Sequence, residues 1–339
     1  MQIPYRRVVI TKFGGPEVLQ IIEDTLAPPA AGEVRVKVEA AGVGYTDVAQ
    51  RVGVYPNAPK LPYTPGYDVT GVVESVGDGV QNVQPGQTII ALVKNGVGGY
   101  SEYLNLPAAA IVPAPAELDP AARVSIVSNY LTAYQLLHRI ARVHEGERIL
   151  IHSAGGGVGT ALLQLGRLAG LEMYGTASRG KHDLLKRYKA TPIDYQTEDF
   201  VALIHKLTGD GVDVVFDPIG GHHYKRSFQT LRNGGRLIGY GLQVALPNGK
   251  RSIGGFLGAL LRMPRFSPFG LLPTSRGVFG YGINTRPDWH ADDLRVLVKL
   301  LQAGEIVPVI AVRFRLEEIR GAHECLDAGG VQGKIVLEM

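Results

Sequence analysis

Apolar and polar residues alternate along the first third of the chain. In the stretch EVRVKVEAAGV, Val34, Val36 and Val38 are expected on one side and Arg35 and Lys37 on the other. This period of two predicts a half-buried β-strand. The segments GVVESVGDGV and QTIIALV are further short strands, with Gly-Asp-Gly and Pro-Gly turns between them. We therefore predict a β domain up to about residue 122.

The period of the pattern changes beyond that point. The stretch SNYLTAYQLLHRIARV is typical of a helix, and the apolar run RILIHS predicts a strand. A glycine-rich turn then leads into TALLQLGRLAG, where we expect Leu162, Leu165 and Leu168 on one face of a helix. Strands and helices alternate further along the chain, and residues 212–216 form an apolar strand. This order indicates βαβ units around a parallel sheet that is buried on both faces.

Composition and charge narrow the class of protein. A chain of 339 residues with 45% hydrophobic and 19% charged residues is typical of a soluble globular protein with two domains. Its net charge of +4 is spread along the chain and does not indicate a nucleic-acid partner. Cys325 is the only cysteine, so we expect a reducing compartment, the cytoplasm. The stretch MQIPYRRVVITKFGG has no apolar core of signal-peptide length, and no window reaches the 18 or so uninterrupted apolar residues of a membrane span, so we expect neither.

The glycine-rich turn in IHSAGGGVGT carries the first candidate chemistry. A strand, a glycine turn and a helix in this order hold a pyrophosphate, because the first N–H groups of the helix lack intrahelical partners. The spacing here follows the dinucleotide-binding pattern, with alanine in place of the first glycine. The residues expected to line the phosphates are Ala154, Gly156, Gly157, Val158 and Gly159.

The end of the next strand predicts which dinucleotide binds. A site that prefers NAD places an acidic residue there, whereas this chain has Ser178, Arg179 and Lys181 and no acid before Asp183. A hydroxyl and two cations suit a 2′-phosphate, and cations at a helix start favour a nearby anion. The sequence therefore predicts NADPH.

With these motifs together, the chain resembles the medium-chain dehydrogenase/reductases. More narrowly, it is similar to the zinc-independent NADPH:quinone oxidoreductase (zeta-crystallin-like) branch and to its vesicle-amine-transport-protein-like group. The resemblance covers nearly the full length. The landmarks are AGVGYTDVAQRVGVYP, PGYDVTGVVESVGDGV, NYLTAY, AGGGVGTALLQLGRLAG, DVVFDPIGG and GKIVLEM.

The resemblance implies a fold of two domains with the active site where they meet. A GroES-like β domain would comprise residues 1–123 and 285–339, and a Rossmann domain with a doubly wound parallel sheet would comprise residues 124–284. The family also implies a homodimer formed by extending the Rossmann sheet edge to edge. The order of β and α/β patterns along the chain supports the same division.

Comparison with zinc-dependent relatives predicts that no metal binds. Those relatives have a cysteine where this chain has Gly44, a histidine where it has Tyr67, and a four-cysteine lobe that has no counterpart here. Catalytic zinc needs three protein ligands. His222 and His223 are adjacent, so on a helix their rings would point about 100° apart, and a polar helix start explains them better.

Without a Lewis acid, we expect hydride addition to a small, apolar, electron-poor acceptor, a quinone or an activated C=C bond. The proton would come from a tyrosine or from solvent. Tyr55 matches the family's GxY position and is the first candidate, Tyr45 lies beside the lost zinc position, and Asp47 is expected to order that loop. Other candidate tyrosines are Tyr63, Tyr67 and Tyr130.

The resemblance also assigns further cofactor contacts. Asn129 and Thr132 match positions that approach the nicotinamide, and Lys334 matches a C-terminal contact. Positions lining the adenosine and nicotinamide ends, or lying on the last Rossmann strand, are Tyr195, Gly241, Phe279 and Tyr281.

Residues 252–273 are apolar and interrupted by glycine and proline. They are expected to form a wall of the substrate pocket or of the dimer contact, and the alternative is a mobile lid or a lipid-contacting surface. This segment, together with glycine at position 44 where the quinone reductases have asparagine, supports a second hypothesis. The chain would then be an NADPH-binding protein with little catalysis that acts through a lipid or protein surface.

Overall fold

The structure is a computed structural model that describes residues 1–55, 58–245, 258 and 263–339. These residues group into two compact units. The first unit contains Met1–Leu131 and Arg286–Met339, and the second contains the described residues between positions 132 and 285. The second unit is therefore inserted into the sequence of the first.

The elements of the described chain follow the order that the sequence pattern predicts. The strands are β1 (Ile3–Ile10), β2 (Leu19–Leu26), β3 (Glu33–Val43), β4 (Asp68–Val76), β5 (Thr88–Leu92), β6 (Tyr103–Pro107), β7 (Ile111–Pro113), β8 (Arg148–Ile151), β9 (Glu172–Ala177), β10 (Ala190–Asp194), β11 (Val212–Asp217), β12 (Leu231–Gly239), β13 (Gly277–Gly280), β14 (Ile310–Arg315) and β15 (Lys334–Glu338). The α-helices are α1 (Tyr45–Arg51), α2 (Pro120–Ser125), α3 (Leu131–Tyr134), α4 (Gly157–Leu168), α5 (His182–Arg187), α6 (Phe200–Thr208), α7 (His223–Gln229), α8 (Pro268–Leu271), α9 (His290–Gln302) and α10 (Ile319–Ala328).

A mixed sheet forms the centre of the first unit. Its strand order is β14-β15-β3-β4-β5-β7, with β6 paired to β3, and β1 pairs separately with β2. The C-terminal strand β15 runs parallel to β14 and antiparallel to β3. The buried core on this sheet is rich in valine, isoleucine and leucine, as half-buried strands require.

Strand β3 confirms the predicted alternation with one exception. Val34, Val36 and Val38 are buried and Lys37 is exposed, but Arg35 is only 2% exposed. The Arg35 guanidinium donates hydrogen bonds to the carbonyl oxygens of Met1 and Ala27. The expectation that Arg35 faces solvent is therefore wrong, because two backbone carbonyl oxygens accept hydrogen bonds from its Nη2 away from water.

A parallel sheet forms the centre of the second unit, as predicted. The strand order is β10-β9-β8-β11-β12-β13, which is the 3-2-1-4-5-6 order of the doubly wound dinucleotide-binding fold. Every residue of β11 is buried, which agrees with a sheet covered on both faces. The strand order reverses between β8 and β11, and ligands of such folds bind at this point, outside the carboxyl ends of the strands.

Helix α4 follows the turn as predicted, but its apolar stripe is shorter than expected. Leu162 and Leu165 are buried, whereas Leu168 is 42% exposed. Three steps of 100° place Leu165 about 60° from Leu162, but six steps place Leu168 about 120° away. The expectation that all three leucines share a face is therefore wrong for Leu168.

The predicted helix over residues 128–143 is present but irregular. Two π-helical segments, Ile126–Tyr130 and Gln135–Ala141, alternate with the short helices α2 and α3. The run ends at Arg142, which adopts the left-handed conformation. Among the helices of the described chain, none has the length and apolar character needed to cross a lipid bilayer.

Candidate active site

The glycine-rich turn joins β8 to α4 at the carboxyl edge of the parallel sheet. Gly156 directly precedes the helix in extended conformation, and no side chain caps the helix start. An ideal Cβ placed on Gly159 would lie 2.4 Å from the Ser153 carbonyl oxygen, closer than real Cβ atoms approach. Glycine therefore permits this tight turn, which presents the first N–H groups of α4 to an anionic ligand.

The residues expected to line the phosphates do not all face the same way. Residues 156–158 are partly exposed at the start of α4. Ala154 is fully buried, and its N–H donates to the carbonyl oxygen of Thr176 on β9. An ideal Cβ on Gly175 would lie only 2.8 Å from Ala154 Cβ. The structure thus places the Ala154 side chain in the packing of the turn against β9.

Lys181 lies across the glycine turn. An ideal Cβ on Gly155 would lie 2.6 Å from Lys181 Cδ, and burial lowers the pKa of Lys181. Ser178 and Arg179 directly follow β9, Ser178 partly exposed and Arg179 exposed. The structure therefore brings Lys181, one of the residues predicted for the 2′-phosphate, beside the turn predicted for the pyrophosphate.

Two further predicted cofactor residues lie beyond the ends of neighbouring strands. Tyr195 follows β10 and is 57% exposed, which leaves its ring available for stacking. Gly241 follows β12, and an ideal Cβ there would lie 2.5 Å from the Pro218 carbonyl oxygen. A side chain at position 241 would therefore displace the loop after β11.

Other residues predicted to contact the cofactor, on or after β13 and in the helical run over 128–143, differ from one another in exposure and contacts. Phe279 on β13 is 47% exposed. Tyr281, just after β13, donates its hydroxyl to Gln135 Oε1 at 2.8 Å. Thr132 is buried, and Asn129 is partly exposed in a π-helical segment of the first unit.

A buried polar network that the sequence did not reveal lies at the carboxyl ends of β8 and β11. Ser227 Oγ donates to Asp217 Oδ2 at 2.6 Å and lies 3.1 Å from His152 Nε2. His223 Nδ1 donates to the same carboxylate oxygen at 2.7 Å. Asp217 Oδ1 accepts the backbone N–H of Ile219 at 2.7 Å. The network therefore fixes the loop after β11 on which Gly241 rests.

The protonation states of this network follow from its contacts. Burial lowers the pKa of His152 to about 3, so the ring is neutral. Burial would raise the pKa of Asp217, but the hydrogen bonds that His223 and Ser227 donate to its carboxylate lower it to about 2. A signal in the sequence was available, because His152 directly follows β8 and Asp217 ends the adjacent parallel strand β11.

This network is also the place in the described chain where metal-ligand residue types cluster. The ligand atoms of His152, Asp217 and His223 lie within 4.8 Å of one another. Ser227 Oγ lies between them, 3.1, 2.6 and 3.3 Å from the three groups. The candidate metal-ligand atoms are therefore already engaged in hydrogen bonds with protein atoms of the same cluster.

In the first unit, helix α1 organises the predicted catalytic residues. Asp47 Oδ2 accepts the N–H of Gly44 at 2.8 Å and so caps the helix start, as expected of a residue that orders this loop. Tyr45 is the first residue of α1, and Tyr55 follows its end. The backbone N–H of Tyr55 donates to the carbonyl oxygen of Ala49 at 3.2 Å, which ties this tyrosine to the helix.

The candidate tyrosines differ in exposure. Tyr45 and Tyr55 are partly exposed, whereas Tyr63, Tyr67 and Tyr130 are buried. The Tyr55 and Tyr67 rings meet edge to face with 6.4 Å between their centroids. Burial and the charge of Asp327 raise the pKa of Tyr45. The two partly exposed phenols are thus the better candidates for contact with a substrate.

Lys334 is buried in an ion pair inside the first unit. Its ammonium donates to Asp68 Oδ2 at 2.8 Å and lies 3.2 Å from Ser128 Oγ, and Ser128 also donates to Asp68. Both members of the pair are at most 4% exposed. An ideal Cβ on Gly42 would lie 2.4 Å from Lys334 Nζ, so glycine makes room for the pair. The cofactor contact that the resemblance implies for Lys334 stays a prediction.

We expect Asp47 to make the protein less stable as the pH rises from about 4 to about 7. Burial and the nearby charge of Asp68 raise the pKa of Asp47 to about 7, although Lys334 opposes them. The unfolded value is about 3.9, so between these limits the folded state holds a proton that the unfolded state has released, and stability falls. Urea unfolding of the wild type should show this loss, and Asp47→Asn should remove it. Parallel pH profiles for the two proteins would contradict the assignment.

Two family models match the chain. The "Alcohol dehydrogenase GroES-like domain" matches residues 30–116, and "Zinc-binding dehydrogenase" matches residues 190–337. Synaptic vesicle membrane protein VAT-1 homolog of Rattus norvegicus is 32% identical over 98% of this chain and 84% of its own length. Quinone oxidoreductase of the same species is 31% identical over 98% of this chain and 97% of its own length.

A solved structure shows the same fold. The crystal structure of Escherichia coli quinone oxidoreductase complexed with NADPH aligns with a TM-score of 0.87 and 27% identity, over 98% of this chain and all of that one. The chain is a member of the medium-chain dehydrogenase/reductase superfamily. Within it, the chain falls in the branch of the zeta-crystallin-like quinone oxidoreductases and VAT-1 homologues, which confirms the resemblance in the sequence.

The family description names zinc, but the residues at the expected position do not fit it. Gly44 offers no side-chain ligand. Tyr67 is 4% exposed, accepts a hydrogen bond from Gln50 Nε2 at 3.2 Å, and packs so closely on Gly96 that a Cβ there would lie 2.1 Å from its ring. A buried phenol held in this way is not among the usual zinc ligands.

Proposed function

We propose that the chain is an NADPH-dependent reductase that transfers hydride to a quinone or an α,β-unsaturated carbonyl without zinc. The observation that carries this proposal is the position of Lys181 across the glycine turn, where a cation and open helical N–H groups lie together. Quinone oxidoreductase from rat and the NADPH complex of the E. coli enzyme support the cofactor and the reaction class.

The second unit would bind and orient the cofactor, which supplies the hydride when bound. The N–H groups at the start of α4 would hold the pyrophosphate. Lys181 and Arg179 would pair with the 2′-phosphate, and Ser178 would donate a hydrogen bond to it. Tyr195 would stack beside the adenosine, and the bare backbone at Gly241 would leave room near the nicotinamide.

The acceptor gains two electrons as hydride and then one proton. Hydride adds to the electron-poor carbon of an enone, or to a quinone, and the electron pair moves onto the carbonyl oxygen. Groups of the chain that donate hydrogen bonds to that oxygen stabilise the negative charge that develops there. Tyr45 and Tyr55 are the candidates for this contact, and the proton comes from a tyrosine or from solvent.

A panel of acceptors tests the proposal. Loss of NADPH absorbance would be followed with a benzoquinone, a naphthoquinone, an enal, an enone and an enoyl thioester, with NADH in parallel. We expect saturable turnover of one class, slower with NADH, by protein that metal analysis finds free of stoichiometric zinc. Tight NADPH binding without turnover of any acceptor would contradict the reductase, and one zinc per chain would contradict zinc independence.

Lys181→Ala should weaken NADPH binding about ten- to a hundredfold. Loss of one charge-assisted contact to the 2′-phosphate costs about 1.5–3 kcal/mol. NADH lacks that phosphate, so its dissociation constant should change much less. Fluorescence titration with both dinucleotides measures the difference. Lys186→Ala is the matched control, because this exposed α5 lysine pairs with Asp183. An equal loss for NADH and NADPH would argue against a 2′-phosphate contact.

Exposed apolar side chains favour the alternative function. Phe269 on α8 and nearby Leu272 are 85% and 68% exposed, near the end of the apolar segment 252–273. Residues 252–257 and 259–262 of this segment lie outside the described residues. In that case the chain binds NADPH and acts through a lipid surface. Co-sedimentation with lipid vesicles tests this alternative, with the wild type compared with a Phe269→Ser/Leu272→Ser variant. Equal vesicle binding by the two proteins would exclude these side chains as the lipid contact.

We also propose a homodimer and a cytoplasmic location. β13 is one of the two edge strands of the described parallel sheet, and Phe279 on it is exposed, which supports edge-to-edge pairing. Cys325 is the only cysteine, which suits a reducing compartment. Light scattering in solution tests the dimer, and a monomeric mass would exclude it.

A further inference from the structure

Two loops of the second unit are joined at the carboxyl edge of the parallel sheet. The first loop, residues 217–221, begins with the last residue of β11, and the second, residues 240–244, follows β12. Backbone N–H groups of the second loop donate to carbonyl oxygens of the first at 3.0 or 3.1 Å, from Tyr240 to Asp217, from Gln243 to Pro218 and from Val244 to Ile219. The Tyr224 hydroxyl on α7 also donates to the carbonyl oxygen of Gly241 at 2.8 Å. The joined loops, as we call these two segments, are therefore fixed to each other.

The joined loops also contact the glycine turn. Ser153 Oγ in this turn donates to Gln243 Oε1 at 3.3 Å. The turn follows β8, so the joined loops lie on its β11 side, whereas Lys181 approaches it from the β9 side. A dinucleotide with its 2′-phosphate at Lys181 and its pyrophosphate at the turn would therefore direct its nicotinamide end toward the joined loops.

One buried carboxylate shapes the first of these loops. Asp217 is fully buried, and its Oδ1 accepts the backbone N–H groups of Ile219 at 2.7 Å and Gly220 at 3.2 Å. Gly220 has a φ of +79°, and an ideal Cβ there would lie 2.8 Å from the Gly241 carbonyl oxygen. The carboxylate therefore sets the bend that brings the first loop onto the second.

The other oxygen of this carboxylate ties the bend to neighbouring elements. Asp217 Oδ2 accepts hydrogen bonds from Ser227 Oγ and His223 Nδ1 on α7. Because the Ser227 hydroxyl gives its proton to Asp217, the neutral His152 ring donates to Ser227 Oγ through Nε2. The other ring nitrogen, Nδ1, then accepts the Thr176 hydroxyl of β9 at 3.0 Å. Hydrogen bonds from three neighbouring elements therefore converge on one carboxylate.

An amide is a poor replacement for this carboxylate, because each oxygen accepts two donors. In Asp217→Asn the volume is unchanged, but the amide nitrogen would face either two backbone N–H groups or the donors of Ser227 and His223. Either arrangement leaves buried donors unpaired, which is costly. The substitution should therefore release the bend without leaving a cavity.

We propose that Asp217 is a positioning residue for the nicotinamide end of the cofactor, and that it acts through the joined loops without contacting the cofactor itself. This inference rests on NADPH binding in the second unit and, for its catalytic arm, on the proposed reduction. The joined loops would hold the nicotinamide in the orientation from which hydride is transferred. The 2′-phosphate end, on the other side of the glycine turn, should not depend on Asp217.

Two ligands separate the two ends of the site without requiring turnover. The fragment 2′,5′-ADP carries the 2′-phosphate and the adenosine but no nicotinamide, whereas NADPH carries both ends. Asp217→Asn should raise the NADPH dissociation constant about tenfold or more and leave that of 2′,5′-ADP within about twofold. Calorimetric titration measures both constants. Ser227→Ala leaves the two backbone bonds to Asp217 intact, so it should weaken NADPH binding only about threefold, and it carries the same test if Asp217→Asn does not fold.

Asp213→Asn is the matched control. Asp213 is a buried aspartate near the amino end of the same strand, where its carboxylate accepts the backbone N–H of Arg148 at 2.8 Å and pairs with Arg232. This variant should leave both dissociation constants unchanged. An equal loss of affinity for the two ligands in Asp217→Asn, or no loss for NADPH in the folded variant, would overturn the inference. Failure of the wild type to bind NADPH would overturn the proposed function together with it.

The catalytic arm uses the acceptor that the panel identifies. At saturating NADPH, Asp217→Asn should lower kcat about a hundredfold, because a nicotinamide displaced by about 1 Å loses the geometry for hydride transfer. The KM for the acceptor should change much less. Wild-type kcat in Asp217→Asn would overturn the positioning role and leave the proposed reductase intact. Absence of turnover in the wild type would contradict the reductase, and the two-ligand titration would then decide the inference alone.

Discussion

Gly159→Ala should abolish measurable NADPH binding, raising the dissociation constant by about a hundredfold or more, equal to about 3 kcal/mol. The added Cβ would lie 2.4 Å from the Ser153 carbonyl oxygen and 2.6 Å from two backbone atoms of Ala154. These atoms belong to the turn itself, so no side chain can move aside to relieve the contact. The turn must open, which moves the N–H groups of α4 away from the pyrophosphate.

Fluorescence titration with NADPH measures this effect, and thermal unfolding monitors the fold. Gly270→Ala on α8 is the control, because its nearest contact would be the Ser267 hydroxyl at 3.4 Å, an ordinary distance. NADH should lose affinity to the same extent as NADPH, unlike in Lys181→Ala, because both share the pyrophosphate. Near wild-type affinity in folded Gly159→Ala would exclude the turn as the phosphate site.

Lys334→Met should destabilise the first unit by about 3–5 kcal/mol, because it leaves the Asp68 carboxylate buried without its counter-charge. The methionine fits the volume of the lysine stem beside Gly42, so loss of charge dominates over loss of packing. Ser128 would still donate to Asp68, but a hydroxyl does not neutralise the carboxylate.

Urea unfolding of the single variants and of Asp68→Asn/Lys334→Met measures the coupling. We expect the double variant to be more stable than the sum of the two single losses predicts, because it contains no unpaired charge. NADPH titration of the same proteins tests the contact that the family resemblance implies. Unchanged stability with weaker NADPH binding in Lys334→Met would show that the ammonium serves the cofactor instead.

Sequence patterns predicted the features that depend on neighbours in the chain. The alternation in β3, the apolar run of β11 and the glycines before α4 each follow from a local period or turn, and the fold class was predicted correctly from them. Such patterns also led us to predict that Lys181 lies near the glycine turn, because both the turn and the residues after β9 lie at the carboxyl edge of one parallel sheet. Its contact with the cofactor stays a prediction.

Pairings between distant positions could not be predicted in the same way. Arg51 looks like an exposed cation at a helix end, yet it is buried because His323 and Asp327, contributed by α10, satisfy it. Arg35 is buried for the same kind of reason. A single sequence gives no sign of such partners, since the pattern records the polarity of a position but not the groups that will surround it.

The position of β15 has a consequence for folding while the chain is being synthesised on the ribosome. Residues 40–43 of β3 pair with β15, so this part of the strand lacks that partner until residues 335–338 have been synthesised, whereas residues 33–37 pair with the earlier strand β6. The described residues of the second unit lie between positions 132 and 285 and are therefore synthesised before β15. The nascent chain must therefore carry an open strand edge, an aggregation-prone template, while the inserted unit folds first.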